Sequence, residues 1–265
     1  MVCVMIIPLI WFAMRHTIVL QRSRYTDVLF AGLILTALAC VIGTTARTGL
    51  IAIAVLGMLA LFKSKKKVWW ISAAILVGIA VGNVDLSSTS WGARMSTIET
   101  YNQDSSALGR LKVWEWTLDF ISNNPAGGGF DAYALNRIAG VMDDGTVVYF
   151  PDWQLAGKAF HSIYFEVLGE QGIPGFLIYF SIIFATLINL RKLKKKWHNQ
   201  AGMTWLVALA DALTASILIF LTGGAFVGIA YQPFIFYMVS LTVSIDQYSR
   251  RVEHDMKVRN KGILA

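Results

Sequence analysis

The run Ile173-Pro174-Gly175-Phe176-Leu177-Ile178-Tyr179-Phe180-Ser181-Ile182-Ile183-Phe184-Ala185-Thr186-Leu187-Ile188-Asn189-Leu190 is followed at once by Arg191-Lys192-Leu193-Lys194-Lys195-Lys196. A bilayer's hydrocarbon core is about 30 Å thick and takes about 20 apolar helical residues, so the first stretch has the composition and nearly the length of a membrane span. The basic run that stops it carries the charge that marks a cytoplasmic span end. Apolar stretches bounded by charge or turn residues recur along the chain, and the pattern predicts spans near 27–43, 44–62, 68–82, 173–190, 203–222 and 226–245. The opening run, Met1 to Met14, is apolar but short, contains Pro8, and has neither a basic residue before it nor a small-residue cleavage site after it. It reads as the remnant of a span and not as a signal peptide. The expected fold class is an all-α integral membrane protein of about seven transmembrane helices, each sized by the bilayer.

Composition agrees, since 56% of the residues are hydrophobic and only 15% charged, which suits lipid and excludes an ordinary water-soluble globule. The net charge of +7 is concentrated in short basic runs between apolar segments, a topology signal, so no nucleic-acid partner is expected. Cys3 and Cys40 both lie in apolar runs and offer neither a disulfide framework nor a thiolate metal site. With 15–26, 63–67, 191–197 and the tail 246–265 assigned to the cytoplasm, these segments hold 17 of the 23 Lys and Arg residues. The remaining six are Arg47, Arg94, Arg110, Lys112, Arg137 and Lys158. That bias makes residues 83–161 one large periplasmic loop. The loop itself carries nine acids against five bases. No repeat or linker divides the chain, so residues 1–265 read as a single membrane domain with one elaborated loop.

Within the loop, Asp85 to Ser106 is polar and irregular, whereas Leu111, Trp114, Leu118 and Ile121 fall at helical spacing before a stop at Asn123-Asn124-Pro125. This is an amphipathic interfacial helix, with Trp114 and Trp116 as headgroup-level anchors. Gly127-Gly128-Gly129 permits either a close backbone approach to a ligand or a plain sharp turn, and the turn is favoured. The acids between Asp143 and Asp152 lack ligand spacing and read as a solvated loop rather than a metal site. At the far end, a helix over about 162–170 closes at Gly172, and the following span begins with Pro174 in its first turn, where a missing N–H costs nothing.

Several polar residues stand where topology rules would not put them. Arg47 lies in Gly43-Thr44-Thr45-Ala46-Arg47-Thr48-Gly49 at the start of a span, where an anion would satisfy both the guanidinium and the free amides of the helix end; a snorkelling Arg on lipid headgroups is the equal alternative. Arg110 opens the amphipathic helix, with Lys112, Arg137 and Arg94 elsewhere in the loop, and each alone is more often a surface cation. His161 is the one histidine on the periplasmic side. At a helix start its neutral form is favoured, leaving a proton acceptor near neutral pH, although a lone histidine is more often a cap or packing residue. Glu166 and Glu170, four apart, could orient that imidazole or bind a sugar hydroxyl, or be ordinary interfacial carboxylates. Asp211, inside a span, needs a partner within the bundle and raises a proton-coupled transporter as a rival reading.

Taken in order, the arginine in a small-residue turn, Gly109-Arg110, Trp114, Asn124-Pro125, Gly129-Phe130, His161-Ser162, Phe165-Glu166, Gly172 and Gly175 resemble the O-antigen ligase and polymerase superfamily. Ser105-Ser106-Ala107-Leu108-Gly109-Arg110 and Ala159-Phe160-His161-Ser162 are similar to the O-glycosylation ligases found beside exosortase systems. The resemblance covers about residues 27–245 and implies a GT-C-like helical architecture with further spans before the match, so the chain is expected to lack N-terminal spans. It implies a bacterial inner-membrane glycosyltransferase whose donor is a glycan on a polyprenyl pyrophosphate and whose acceptor is a glycan, lipid or protein at the periplasmic face. Carried over by motif, Arg47 and Arg110 would bind the pyrophosphate and His161 would be the base, with Arg137, Lys112, Glu166 and Glu170 as further substrate-binding candidates. The chemistry needs charge neutralised on a leaving diphosphate and a proton removed from a hydroxyl, which arginines and a neutral imidazole supply without a metal or other cofactor. An inverting transfer is expected.

Overall fold

Long runs of Leu, Ile, Val and Ala satisfy their backbone polar groups internally as helices, the arrangement that lipid requires. The computed structural model describes residues 1–16, 21–44, 47–64, 72, 105–142 and 144–263, so the span expected at 68–82 and the loop segment 85–104, with Arg94, lie outside the described residues. The main helices among the described residues are α1 (Val2–His16), α2 (Arg24–Gly43), α3 (Arg47–Lys63), α4 (Ser105–Asn123), α5 (Ile163–Trp197), α6 (Thr204–Gly223) and α7 (Pro233–Ile263). Three helical segments, Arg24–Gly43, Ile163–Trp197 and Ala201–Phe226, are long and apolar enough to cross a membrane, while Val2–His16 and Thr48–Phe62 are apolar but shorter. On α2 the side chains of Tyr25, Val28, Leu29, Leu33, Leu35 and Ile42 are exposed, an all-round apolar surface that suits acyl chains and not water. The chain is a helical membrane protein.

The described residues gather into two compact units. One comprises Met1–Cys40, Phe180–Phe220 and Tyr231–Ala265. Its core includes Met5, Leu190, Leu206, Leu213, Ile217 and Met238. The buried Ser216 hydroxyl donates to the Met5 carbonyl at 2.6 Å and the Trp197 indole N–H to the Ser249 hydroxyl at 2.7 Å. Asp211 has the partner its position demands, an ion pair with Lys194. Helix α7 starts at Pro233, later than the expected 226, because Gly224–Phe226 forms a 3-10 turn; it continues as one helix to Ile263 through the segment read as a tail.

The second unit comprises Val41–Tyr179 and Leu221–Ala230 and holds most of the loop. Helix α4 ends at Asn123 as its Asn-Asn-Pro stop requires. Val113, Thr117 and Ile121 are buried against the protein, whereas Leu111 and Leu118 of the expected stripe are exposed at the protein surface. An all-helical reading also misses a small antiparallel hairpin, β1 (Ile138–Val141) with β2 (Val147–Tyr149), paired Ile138 to Tyr149 and Val141 to Val147. β-Branched and aromatic residues flank a turn in which Gly145 takes φ 86° and the Asp144 carboxylate accepts from the Thr146 N–H, so part of the stretch read as solvated loop is ordered by turn chemistry.

The break expected at Gly172 is present inside α5, with φ 63° and ψ −167°, a conformation only glycine adopts without strain. The Ile173 N–H released by the break donates to the Pro125 carbonyl at 2.9 Å. A Cβ on Gly172 would fall on the Pro125 carbonyl and the Ala126–Gly127 peptide, and one on Gly127 (φ 82°) would fall on the backbone of Glu170 and Gly172. Gly127 of the triplet therefore packs against another backbone. Gly172→Ala is expected to destabilise the protein by at least about 2 kcal/mol, since strain and backbone collision add. A thermal melt in detergent should show a clear drop relative to Gly202→Ala, where a Cβ meets open space.

Candidate active site

The end of the loop is built around Phe160. Its ring is buried with Val113, Ala132 and Ile138 and lies against Gly169 of α5, where a Cβ would meet the ring at 2.5 Å. Burying such a ring contributes about 1.5–3 kcal/mol and anchors the residue before His161. Trp114 of α4 then holds the same point from the other side: its indole N–H donates to the Phe160 carbonyl at 2.8 Å, and its ring stacks on Phe165 at 4.9 Å with planes 3° apart. Trp114 is thus turned inward, with its N–H committed to the loop, in place of the headgroup contact expected from sequence. Trp116 stacks on Phe120 at 4.9 Å.

Between Phe160 and α5, His161 takes a left-handed conformation with φ 51°, rare for a residue with a Cβ. It is held there by the Trp114 clamp before it and by Ser162 after it, whose buried hydroxyl accepts from the Tyr164 N–H at 3.3 Å and caps α5. The imidazole is half-buried. Burial pushes its pKa below the ordinary value of 6.5, and the Arg110 guanidinium and Lys158 ammonium push it further the same way. His161 is therefore neutral at neutral pH and available to accept a proton.

Arg110 lies in the first turns of α4 and is half-buried; its Nε is buried and meets no hydrogen-bond partner among the described residues. A desolvated guanidinium N–H without an acceptor is costly unless a ligand supplies one. Lys158 joins it through a route that spacing does not reveal. The side chain of buried Asn136 grips the Lys158 backbone, its Nδ2 donating to the Lys158 carbonyl at 2.7 Å and its Oδ1 accepting from the Lys158 N–H at 3.1 Å. The Lys158 side chain then crosses Gly109, where a Cβ would coincide with its Nζ and Cε. Arg110, Lys158 and His161 thus form one cationic corner.

The other candidates are placed differently. Arg47 opens α3, and its side chain lies outside the described residues. Arg137, also left-handed at φ 55°, donates from Nη2 to the Phe150 carbonyl at 2.9 Å and pairs with Asp152, which ties it into the hairpin; its Nε is buried without a hydrogen-bond partner among the described residues. Lys112 pairs with Glu115 at 2.9 Å on the open side of α4, and that contact raises its pKa. Glu166 accepts from the Ala230 N–H at 2.9 Å and Glu170 from the Asp131 N–H at 3.1 Å, so both carboxylates hold loop backbone. Lys158 and Asn136 were missed because neither stands in a turn or helix pattern. The available signal was the Lys158-Ala159-Phe160-His161 order itself, a loop cation three residues before the imidazole.

A helical membrane protein with a neutral histidine that feels two nearby cations has the groups that transfer from an anionic carrier would use. The O-Antigen ligase family model matches residues 32–180, more than half of the chain and the segment that contains Arg47, Arg110, Lys158 and His161, and the protein belongs to this family. No curated protein matches the sequence.

Two outcomes are expected. In histidine-labelled protein in nanodiscs, the His161 ring should titrate below 6.5, and Arg110→Gln should raise its midpoint; a wild-type midpoint above 6.5 would refute the assignment. Because the folded pKa lies below the unfolded one, the stability linked to this group is fully present above about pH 6.5 and is lost as the pH falls through the folded pKa. Trp114→Phe keeps the stacked ring but leaves the Phe160 carbonyl unpaired, and should cost about 1–3 kcal/mol in a thermal melt.

Proposed function

We propose that the protein is a glycosyltransferase of the O-antigen ligase type, moving a glycan from a polyprenyl-pyrophosphate carrier to a glycan, lipid or protein acceptor at the periplasmic face of the bacterial inner membrane. The observation that carries this reading is the half-buried His161 beside Arg110, whose Nε is buried without an acceptor among the described residues. About seven spans, sized by the bilayer, would carry the site, with the loop on the periplasmic side where the sparse basic residues put it. Arg47, at the head of α3, completes the cation set if its side chain reaches the same anion.

The acceptor hydroxyl oxygen attacks the anomeric carbon, the bond from that carbon to the diphosphate oxygen breaks, and its electron pair leaves on the diphosphate. His161 takes the hydroxyl proton. Arg110 and Arg47 neutralise the charge gathering on the leaving group, the role metal ions play in other phosphate chemistry. A single displacement inverts the anomeric centre. Within the same superfamily, a polymerase differs only in that its acceptor is another glycan. The transporter reading loses its motive, because Asp211 is already ion-paired to Lys194.

A transfer assay in membranes with a polyprenyl-linked donor tests this. His161→Ala, Arg110→Ala and Arg47→Ala should each lower the rate by about 100-fold or more, the scale of general base and charge-stabilising groups. Asp211→Asn should retain activity. Full transfer in all three variants would overturn the mechanism. A single product band marks a ligase and a ladder marks a polymerase. kcat/KM should be level above pH 6.5 and fall as the pH drops through the depressed pKa of His161 in the free enzyme.

A further inference from the structure

We propose that Lys158 is a substrate-binding residue of this site, forming with Arg110 a two-cation clamp for a diphosphate beside His161. The inference rests on the reading of the site as one that acts on a diphosphate-linked donor.

Four observations carry it. The Lys158 backbone is gripped by Asn136 through both its N–H and its carbonyl, an anchoring that a freely solvated surface lysine does not have. The segment has no slack: a Cβ on the preceding Gly157 would fall on the Tyr133 carbonyl and, at 2.8 Å, on the Asn136 Oδ1. The side chain is directed across α4 at Gly109, the residue before Arg110, and both cations act on the His161 imidazole. Among the described residues no carboxylate pairs with either cation, although Lys112, two residues along, has taken Glu115 and Arg137 has taken Asp152.

Both cations bear on His161 and neither pairs with a carboxylate among the described residues, so a diphosphate would meet two positive charges with no described carboxylate to displace. A diphosphate offers two phosphoryl groups, and a guanidinium and an ammonium can each take one: the arginine as a fork, the lysine as a mobile point charge. Among the described residues, the charged groups acting on His161 are Arg110 from α4 and Lys158 from its own loop. Filling the clamp neutralises both, so anion binding and proton uptake by His161 are coupled: the imidazole becomes the stronger base once the donor is in place, and is held back while the site is empty.

The glycine under the lysine supplies a test that leaves the cation itself unchanged. Gly109→Ala puts a methyl group where the Lys158 ammonium lies, and since the obstructing atoms are the far end of a flexible side chain, the fold is retained while the ammonium is displaced. Lys158→Met removes the charge but keeps the backbone bonds to Asn136.

Inorganic pyrophosphate titrated into the full chain in nanodiscs should bind roughly tenfold more weakly to Lys158→Met and to Gly109→Ala than to wild type, with Lys158→Arg recovering most of the affinity. In wild type, saturating pyrophosphate should raise the His161 titration midpoint, and in Lys158→Met it should raise it less. With a polyprenyl-linked donor, Lys158→Met should raise KM for the donor more than it lowers kcat. Unchanged pyrophosphate affinity in both variants, with wild type binding and melting as before, overturns the clamp. Loss of binding in Lys158→Met but not in Gly109→Ala, or failure of Lys158→Arg to recover it, also overturns it. Pyrophosphate binding that depends on Lys158 in a protein that transfers no glycan supports the clamp while refuting the glycosyltransferase reading, and glycan transfer indifferent to Lys158 does the reverse.

Discussion

Backbone packs directly on backbone where Gly127 meets Gly172, and the arrangement of the loop depends on that contact. Neither position tolerates a Cβ, and the Ile173 amide freed by the break at Gly172 is taken by Pro125. This joins the end of α4 to the break in α5, while Gly128 and Gly129 donate to the carbonyls of Gly169 and Glu170 a turn earlier. With the end of α4 fastened at that level, Trp114 meets Phe160 and Phe165, and Arg110, one turn further back, comes to His161. The glycines are far from the chemistry in sequence but set its geometry.

Among the described residues, some charges of the loop hold structure and others meet no partner. Glu166 and Glu170 hold the amides of Ala230 and Asp131, Arg137 is tied to Phe150 and Asp152, and Lys112 to Glu115. Arg110 and Lys158 pair with no carboxylate among the described residues, and both lower the proton affinity of His161; Arg137 shares with Arg110 a buried Nε without a described partner. Charges used internally gain little as ligand contacts, whereas an unsatisfied buried N–H is a standing cost that an incoming anion removes. On the proposed reading the site would respond to its substrate, because an anion that satisfies the cations would also relieve the imidazole.

Backbone strain is confined to the same region. Among the described residues, the non-glycine positions with positive φ are Asp131, Arg137 and His161. Asp131 is bound to Glu170, Arg137 introduces the hairpin that packs on α4, and His161 lies between the Trp114 clamp and the Ser162 cap. Each costs of order 1 kcal/mol and persists because neighbouring contacts over-determine it.

Helices α2, α3, α5 and α6 were legible from hydropathy alone, because a bilayer accepts little else of that length and composition. The break at Gly172 and the stop at Asn123 were legible from local backbone chemistry. Arg110 and His161 stood out because a cation and an imidazole in a span-flanking loop break the surrounding pattern. What tertiary structure alone decided was which loop groups meet. Lys158 is brought to Gly109, beside Arg110, with its backbone held by the buried amide of Asn136, 22 residues away, and Gly127 of the glycine triplet closes on the backbone of Glu170 and Gly172. The loop likewise packs on Val113, Thr117 and Ile121 of α4 and leaves Leu111 and Leu118 at the protein surface. Sequence periodicity reports how one helix divides its own surface, and it carries no information about which distant segment fills each side; that choice is made by close packing and by the need to satisfy every buried polar group at once.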